Sequence, residues 1–177
     1  NNNHLVKPYQ QPEAFYRTGI SVGDYPVDHH HHKNDSAPKI KFTFVNSYNI
    51  PLGSLIPQKT DGLIVAEKNI SVSNIVNGTT RLQPAVLLTG QASGALAAYC
   101  VKNKLQPRRV NIRQVQQLLL NAKCFIMPYV DVKPGDVYWE AIQKIGATGI
   151  LNGIGKSEGW ANKTYFYPDS TIALDEF

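Results

Sequence analysis

The chain has 177 residues, 42% of them hydrophobic and 18% charged, which suits one globular core with a small second unit and excludes a disordered chain. Its formal net charge of +5 is dispersed, and the densest basic group, Arg108, Arg109 and Arg113, has no aromatic residues between its members. Nucleic acid is therefore not expected as a partner. The two cysteines, Cys100 and Cys124, form no CxxC pattern and are expected to be buried thiols.

The first residues resemble neither a translation start nor a signal peptide. The single methionine is Met127, and the opening NNNHLVKPYQQ contains no apolar stretch. We therefore expect the chain to be part of a longer protein, with residues 1–13 forming a flexible segment.

Three stretches of the first half predict β-structure. Residues 16–28 mix β-branched and aromatic side chains with turn-forming glycine and proline, and residues 39–50 alternate polar with apolar side chains, as a half-buried strand does. Residues 63–66, LIVA, form a short continuous apolar run that is typical of a buried strand in a parallel sheet. Residues 50–62 are turn-rich, and residues 67–81 are expected to form a loop.

A long helix is predicted from Gln83 to about residue 102. Thr80 and Gln83 have the spacing of a capping box, and Pro84 lies in the first turn, where its missing N–H costs nothing. Small residues recur at every fourth position of the helix: Gly90, Gly94 and Ala98. This strip predicts the close approach of another backbone or of a flat ligand.

Residues 84–101 of this helix carry no charge, a length that would permit a membrane span. Thr89, Gln91 and Ser93 interrupt the centre, alanine and glycine outnumber leucine, and no aromatic belt flanks both ends. We therefore expect a buried core helix and no membrane span.

A second amphipathic helix is expected within residues 106–125, with Asn111 as its cap and one apolar face formed by Val115, Leu118 and Leu119. The sequence PYVDVKPGD then predicts a boundary near residue 128.

Beyond this boundary, another helix is indicated by an apolar stripe: Tyr138, Ala141, Ile142 and Ile145. The stretch GIGKS, residues 153–157, is similar to part of a phosphate loop. Ile150 stands where that loop needs glycine, so we expect a turn.

Residues 50–98, IPLGSLIPQKTDGLIVAEKNISVSNIVNGTTRLQPAVLLTGQASGALAA, closely resemble the C-terminal part of bacterial FAD-dependent oxidoreductases of the glutathione-reductase-like type. Their pattern contains IPYRSLLP, LLVAGR and GQAAG in this order, and the segment GDYPVD.H lies upstream at the expected place. The resemblance implies FAD as cofactor, with residues 63–66 as the last strand of the flavin-binding sheet. The helix from Gln83 would direct its N-terminus at the flavin ring.

The matched positions imply a set of cofactor-side residues: Ser71, Gly78, Arg81, Gln83, Pro84 and Gly90. The chain departs from the family pattern at Glu67 and Lys68, which replace a Gly-Arg pair, and at Asn74, which replaces a histidine. No GxGxxG follows a strand anywhere in the sequence. We therefore expect that the N-terminal dinucleotide-binding half is absent and that this chain alone does not retain FAD.

Four consecutive histidines, residues 29–32, follow Asp28 in the interior of the chain. On an extended backbone Asp28 and His30 share one side, while His29 and His31 share the other. The family pattern YP.D.H matches Asp28 and His30, which implies a catalytic acid–base pair beside the flavin. Two other interpretations stay open, a polar strand end and metal binding through His29 and His31. Neither side presents a closed ligand set, so no metal site is assigned.

Residues 128–177 resemble part of an S-layer-homology module. The matching positions are Asp131, Val132, Ala141, Ile142, Gly149, Ile150, Gly153, Phe166, Pro168, Glu176 and Phe177. Leu174 replaces an arginine of that pattern, and a single copy is present. The resemblance implies an accessory structural role, with glycan binding as an alternative.

The sequence therefore predicts an α+β fold in three parts. Residues 1–13 are a flexible segment, residues 14–127 are the C-terminal fragment of a flavin-binding α/β domain with substrate-domain strands, and residues 128–177 are a small, mainly helical module. The function expected is completion of the flavin site and of a pocket for a small-molecule or carbohydrate-like substrate in an enzyme whose N-terminal half is missing here. The alternative is a carbohydrate- or cell-wall-associated binding module without redox chemistry. An extracytoplasmic location, periplasmic or secreted, is expected, with a cytoplasmic one as the alternative.

Overall fold

The secondary structure is mixed, with helices and two small sheets. The computed structural model describes residues 15–30, 36, 42, 45–159 and 161–171. Within this described part the elements are β1 (Gly19–Gly23), β2 (Tyr48–Pro51), α1 (Asn74–Thr80), α2 (Gln83–Asn103), α3 (Ile112–Asn121), α4 (Trp139–Thr148), β3 (Ile154–Glu158) and β4 (Ala161–Tyr165). This composition agrees with the predicted α+β class.

β1 and β2 form an antiparallel pair that lies in the core. Ile20 and Ile50 are almost fully buried, as β-branched residues of a covered strand should be. Two glycines in β1 make room for side chains of β2, since a Cβ on Gly19 would overlap the Asn49 amide and one on Gly23 would overlap the Tyr48 ring. The predicted strand 39–50 is thus present at its end, while residues 39–41, 43 and 44 lie outside the described part.

α2 begins at Gln83, as predicted, and ends at Asn103, one residue beyond the predicted end. The predicted capping box is wrong, because the N-cap residue is Leu82 and no side chain caps the helix. Thr80 instead ends α1, where its hydroxyl donates a 3.1 Å hydrogen bond to the carbonyl of Val76. Thr80, which was expected to cap α2, is therefore the last residue of α1.

The predicted loop 67–81 contains a 3₁₀ turn, Glu67–Asn69, and the whole of α1. The Ser73 side chain caps α1 by accepting a hydrogen bond from the amide of Val76, which explains why this polar stretch is helical. Residues 63–66 form no strand, so that prediction is wrong for this chain. The Val65 amide donates to the Leu55 carbonyl at 2.8 Å and the Ala66 carbonyl accepts from the Asn69 amide at 3.2 Å, but no described strand lies beside these residues to form a ladder.

α2 is buried along one ridge and exposed along the other, so the expectation of a buried core helix holds for one side of the helix only. Thr89, Ala92 and Leu96 lie on the buried ridge, whereas Leu87 is 72% exposed and Val101 is 81% exposed. α2 is also long and apolar enough to cross a membrane by length and composition, with a third of its most apolar window buried. The absence of a membrane span stays a prediction.

The small-residue strip lies partly on the exposed side of α2. No described atom lies within 4 Å of the position that a Cβ would take on Gly90 or on Gly94. The close approach that the sequence predicts is therefore not made by any neighbour in the described ranges.

The C-terminal region combines α4 with the antiparallel hairpin β3–β4. Its described part is thus mixed rather than mainly helical, as ten residues are in the helix and ten are in the two strands. Residues 154–157 of the GIGKS stretch lie in β3, so the predicted turn is wrong. Asn111 caps α3 as predicted, since its side chain accepts a hydrogen bond from the Arg113 amide at 2.9 Å.

A buried glutamine on α4 joins this region to the rest of the core. The carbonyl oxygen of the Gln143 side chain accepts hydrogen bonds from the amides of Ile126 at 2.9 Å and Met127 at 2.8 Å. Its amide nitrogen donates to the Met127 carbonyl at 3.1 Å. Gln143 is fully buried, so it replaces water for three backbone groups at once. The hydrophobic core is continuous across residue 128, and both cysteines are free and buried in it.

Gln143→Leu should destabilise the chain strongly. The substitution leaves three buried backbone groups without partners, and each such group costs about 1–3 kcal/mol. Urea unfolding of the variant should give a midpoint well below that of the unmodified chain. Gln91→Leu, at an exposed position of α2, is the control: it removes one weak hydrogen bond, to the Cys124 thiol, and should lower the midpoint far less. Equal midpoints for the two variants would contradict this account of Gln143.

Candidate functional site

A cavity of about 810 Å³ opens at the N-terminus of α2. Its lining comes from three parts of the chain: residues 22–25 with Ser47, residues between 79 and 88, and residues between 125 and 133. The third part is called the wall below. The walls are mainly aliphatic, proline and aromatic side chains, and the volume is in the range of small-molecule sites.

The first turn of α2 faces this cavity without a side-chain cap. Gln83 and Pro84, both of them exposed, line the cavity together with Leu82 and Ala85. The first amides of a helix have no intrahelical acceptor, and they carry the positive end of the helix dipole. Because no side chain caps them here, these amides are available to an electron-rich edge of a ligand.

Thr79 brings a buried polar group to the cavity wall. Its side chain is fully buried, and its hydroxyl has no hydrogen-bond partner among the described residues. Its carbonyl accepts a 2.8 Å hydrogen bond from the Tyr48 hydroxyl. Burial raises the pKa of Tyr48 far above its ordinary value, because the phenolate would lose its hydration there.

Asp24, at the cavity edge, accepts a hydrogen bond from the Asn162 amide at 3.3 Å. Partial desolvation raises the pKa of the Asp24 carboxyl, while this hydrogen bond and the charge of Lys163 oppose the rise. Asp24 therefore links the cavity edge to β4.

A second set of polar groups meets beside α1. One terminal nitrogen of Arg81, Nη2, donates to the backbone carbonyl of Asp28 and to its carboxylate, each at 3.0 Å. The Asp28 amide donates to the Gly78 carbonyl at 3.2 Å. His30 Nε2 lies 3.2 and 3.3 Å from the two carboxylate oxygens of Asp28. The structure thus brings together four of the predicted site residues, which come from two segments some fifty positions apart.

Gly78 is required at this contact by steric packing. A Cβ placed there would lie 2.8 Å from the Asp28 carbonyl oxygen and 3.1 Å from a methyl group of Val27. This close approach lets the extended segment 27–30 lie against α1, within reach of Arg81.

The remaining predicted residues are separated from this group. Gln83 and Pro84 lie at the cavity, while Ser71 lines a second cavity of about 550 Å³. Gly90 lies in the middle of α2, two turns from its start. Asp28, His30 and Arg81 do not line the cavity at α2. The sequence placed Arg81 on the cofactor side. In the structure its guanidinium binds the carboxylate of Asp28 and so orients that side chain.

The histidine run is described only in part. His29 Nε2 lies 2.6 Å from the side-chain oxygen of Asn74, on the α1 side of the segment. His31 and His32 lie outside the described residues, so metal binding through His29 and His31 is not addressed by the structure. The part of the chain that is described contains no group of three or more metal-ligating side chains.

Sequence reasoning missed Thr79, Asp24 and the wall formed by residues 125–133. Asp24 lies within GDYPVD.H, the segment that carried part of the resemblance, so a signal for it was present. The wall had no signal, because its residues read as an ordinary segment between two helices.

Comparison of the sequence with known protein families identifies the family of this chain. A sequence model described as FAD dependent oxidoreductase matches residues 2–119, which is more than half of the chain. The chain belongs to this family. Comparison with curated proteins found no match, and comparison with solved structures found none.

The described residues fit one end of FAD and not the other. An apolar cavity with free helix amides and an unpaired buried hydroxyl suits the edge of a flat, electron-accepting ring. The pyrophosphate end has no counterpart, because no glycine fingerprint is present in the 177 residues.

Gly78→Ala should disturb the Asp28 segment. The added methyl group would overlap the Asp28 carbonyl, and forced overpacking of this kind costs about 1–3 kcal/mol. Urea unfolding should show this loss. Gly94→Ala, where the new methyl meets no described atom, should instead stabilise α2 by up to about 1 kcal/mol. Destabilisation of equal size in both variants would mean that the Gly78 contact is unimportant.

Tyr48→Phe should change both the stability and its dependence on alkaline pH. The lost hydrogen bond to Thr79 costs about 1 kcal/mol at neutral pH. Since the folded pKa of Tyr48 is raised, the unfolded chain releases this proton first, and the stabilisation is complete below about pH 10 and falls above it. Unfolding measured between neutral and strongly alkaline pH should therefore show a shallower decline in the variant. Tyr138→Phe, at a 70% exposed position, is the control and should keep the steeper decline.

Proposed function

We propose that this chain is the segment of a FAD-dependent oxidoreductase that completes the flavin site and supplies part of the substrate pocket. The single observation that carries the proposal is the cavity at the uncapped N-terminus of α2, in a chain that belongs to the FAD dependent oxidoreductase family. When bound, the flavin supplies the redox chemistry, because its ring accepts electrons from the substrate.

The contribution of α2 is electrostatic. Its first amides and its dipole stabilise negative charge at the edge of the ring, and no protein reorganisation is needed because the helix is already in place. The apolar walls exclude water, which strengthens this interaction. Gln83 and Pro84, at the first turn, are the cofactor-side residues that the cavity contains.

We further propose that Asp28 and His30 move a substrate proton. In this arrangement Nε2 of His30 holds its proton toward the Asp28 carboxylate, which leaves Nδ1 free to accept a proton from a hydroxyl or amine. The His30 side chain is 77% exposed, so a substrate can reach it. The pair is connected to the cavity through α1: the Asp28 amide donates to the Gly78 carbonyl, and the next residue, Thr79, lines the cavity.

The dinucleotide-binding half, in this proposal, is supplied by residues outside these 177. The open side of α2 at Gly90 and Gly94 then gains a packing partner. The 177-residue chain alone would hold FAD weakly and would be inactive. We assign to the whole protein a small-molecule or carbohydrate-like substrate, an extracytoplasmic location and no membrane span. Residues 128–177 form an accessory module of S-layer-homology type.

The proposal is tested on the full-length protein by its visible spectrum and by the reduction potential of its flavin. The purified protein should carry flavin absorption bands, whereas the 177-residue chain purified alone should be colourless. A colourless full-length protein that binds polysaccharide would contradict the proposal and favour a carbohydrate-binding module without redox chemistry.

Gln83→Glu in the full-length protein should lower the reduction potential of the bound flavin. A carboxylate in the first turn competes for the helix dipole and opposes negative charge on the reduced ring, an effect of about 0.3–1 kcal/mol. For a two-electron couple this corresponds to roughly 5–20 mV. Gln91→Glu, two turns further along α2, is the matched control and should leave the potential unchanged. Equal shifts in both variants would mean that the start of α2 does not face the ring.

A further inference from the structure

One part of the cavity lining comes from residues that the family match does not reach. The match ends at residue 119, whereas Phe125, Pro128, Tyr129, Val130 and Lys133 all line the cavity. We infer that residues 125–133 form a specificity wall, which selects a flat, largely apolar ring ligand with an anionic or hydrogen-bond-accepting edge. The region that follows the family match then contributes directly to the binding site.

The specificity wall is held rigidly from behind. The Phe125 ring meets the buried Trp139 ring edge-on, with centroids 5.8 Å apart. The Tyr129 ring packs against Phe166 at 5.1 Å, and the Val130 amide donates to the Thr164 carbonyl at 2.9 Å. A wall whose shape is fixed before binding discriminates between ligands without a large ordering cost.

Gln143 fixes the backbone within the same wall. Its side chain binds Ile126 and Met127, the two residues that follow Phe125. α4 and β4 therefore hold the wall, through Trp139, Gln143 and Thr164.

The ligand class follows from the distribution of polarity. The lining contributed by the wall and by the helix start is largely apolar, which suits the faces of an apolar ring. The donors among the lining groups include the first amides of α2, the hydroxyl of Thr79 and the ammonium of the exposed Lys133, and these favour an acceptor or anionic edge. The polar side chains of Tyr25, Ser47, Gln83 and Tyr129 also line the cavity. The cavity also contains one carboxylate, that of Asp24, which is engaged by the Asn162 amide.

This inference deepens the proposed function. It rests on that function only where the ring is assigned to the flavin. The ring is either that of the flavin or that of a substrate beside it, since both present flat faces and acceptor edges. The wall itself is testable in the 177-residue chain, without a bound cofactor.

The test measures binding of 1-anilinonaphthalene-8-sulfonate, a flat apolar fluorophore with an anionic group, to the 177-residue chain. Val130→Trp places a large ring at the cavity, and it should weaken binding at least tenfold. Val137→Trp is the matched control, because Val137 is 89% exposed and does not line the cavity. The control should bind within twofold of the unmodified chain.

A second variant tests the same wall without a change in packing. Lys133→Glu reverses the charge at the cavity and should weaken binding at least threefold, whereas Lys102→Glu, near the far end of α2, should not. Circular dichroism checks folding, and the Lys133 variant decides the test if Val130→Trp is unfolded. The inference would be overturned if Val130→Trp, when folded, and Lys133→Glu both bound the fluorophore as tightly as their controls.

Riboflavin as a competitor separates the two sources of the ring. Displacement of the fluorophore by riboflavin, lost in Val130→Trp, assigns the wall to the flavin ring. Absence of displacement assigns it to the substrate ring. A full-length protein without flavin would contradict the proposed function but would leave the result on the wall standing.

Discussion

The position of α2 on β1 is the constraint on which the site depends. The buried ridge of α2 consists mainly of small and polar side chains, so the helix can lie close to the strand. The hydroxyls of Ser21 and Thr89 lie 3.5 Å apart at this contact, in the interior. Because the helix is held along its length, its first turn is fixed in space, and the cavity lies where β1, α1 and the uncapped helix start meet.

A helix end that is left without a cap is costly unless another group uses its amides. α1 and α3 have side-chain caps, from Ser73 and Asn111, whereas α2 and α4 have none. Of these two uncapped starts only that of α2 lines the cavity, where its amides can serve a ligand. The same logic applies to Thr79, since a buried hydroxyl without a partner is unfavourable in the free protein and useful in a bound one.

The polar group at Asp28 is formed by two segments of the chain, the extended residues 27–30 and the region of α1. Gly78 provides the space, Arg81 provides the charge that orients Asp28, and Asp28 in turn orients His30. The ion pair is partly exposed, so its contribution to stability is small. Its effect is geometric, because it fixes the direction of a carboxylate rather than holding the fold together.

Local sequence was sufficient for the features that depend on neighbouring residues. The start of α2, the cap at Asn111 and the contact between Asp28 and His30 follow from helical period, capping chemistry and the alternation of an extended chain. The resemblance carried by residues 50–98 indicated the family to which the chain belongs. Local errors arose where two signals competed, as at Thr80, which reads as a cap for α2 and ends α1.

Tertiary structure decided the rest. The apolar run 63–66 has strand composition, but a strand needs a ladder partner, and none lies beside it in the described ranges. Arg81 binds Asp28, and the wall shares a cavity with the start of α2. In both cases the residues are dozens of positions apart in the sequence, a separation at which periodicity carries no information. By itself the sequence indicated the helices α2, α3 and α4, though not α1, and it placed Asp28 and His30 on one side of an extended segment. Only packing decided which of them face one another, because contact across a core depends on how all the elements fill space together.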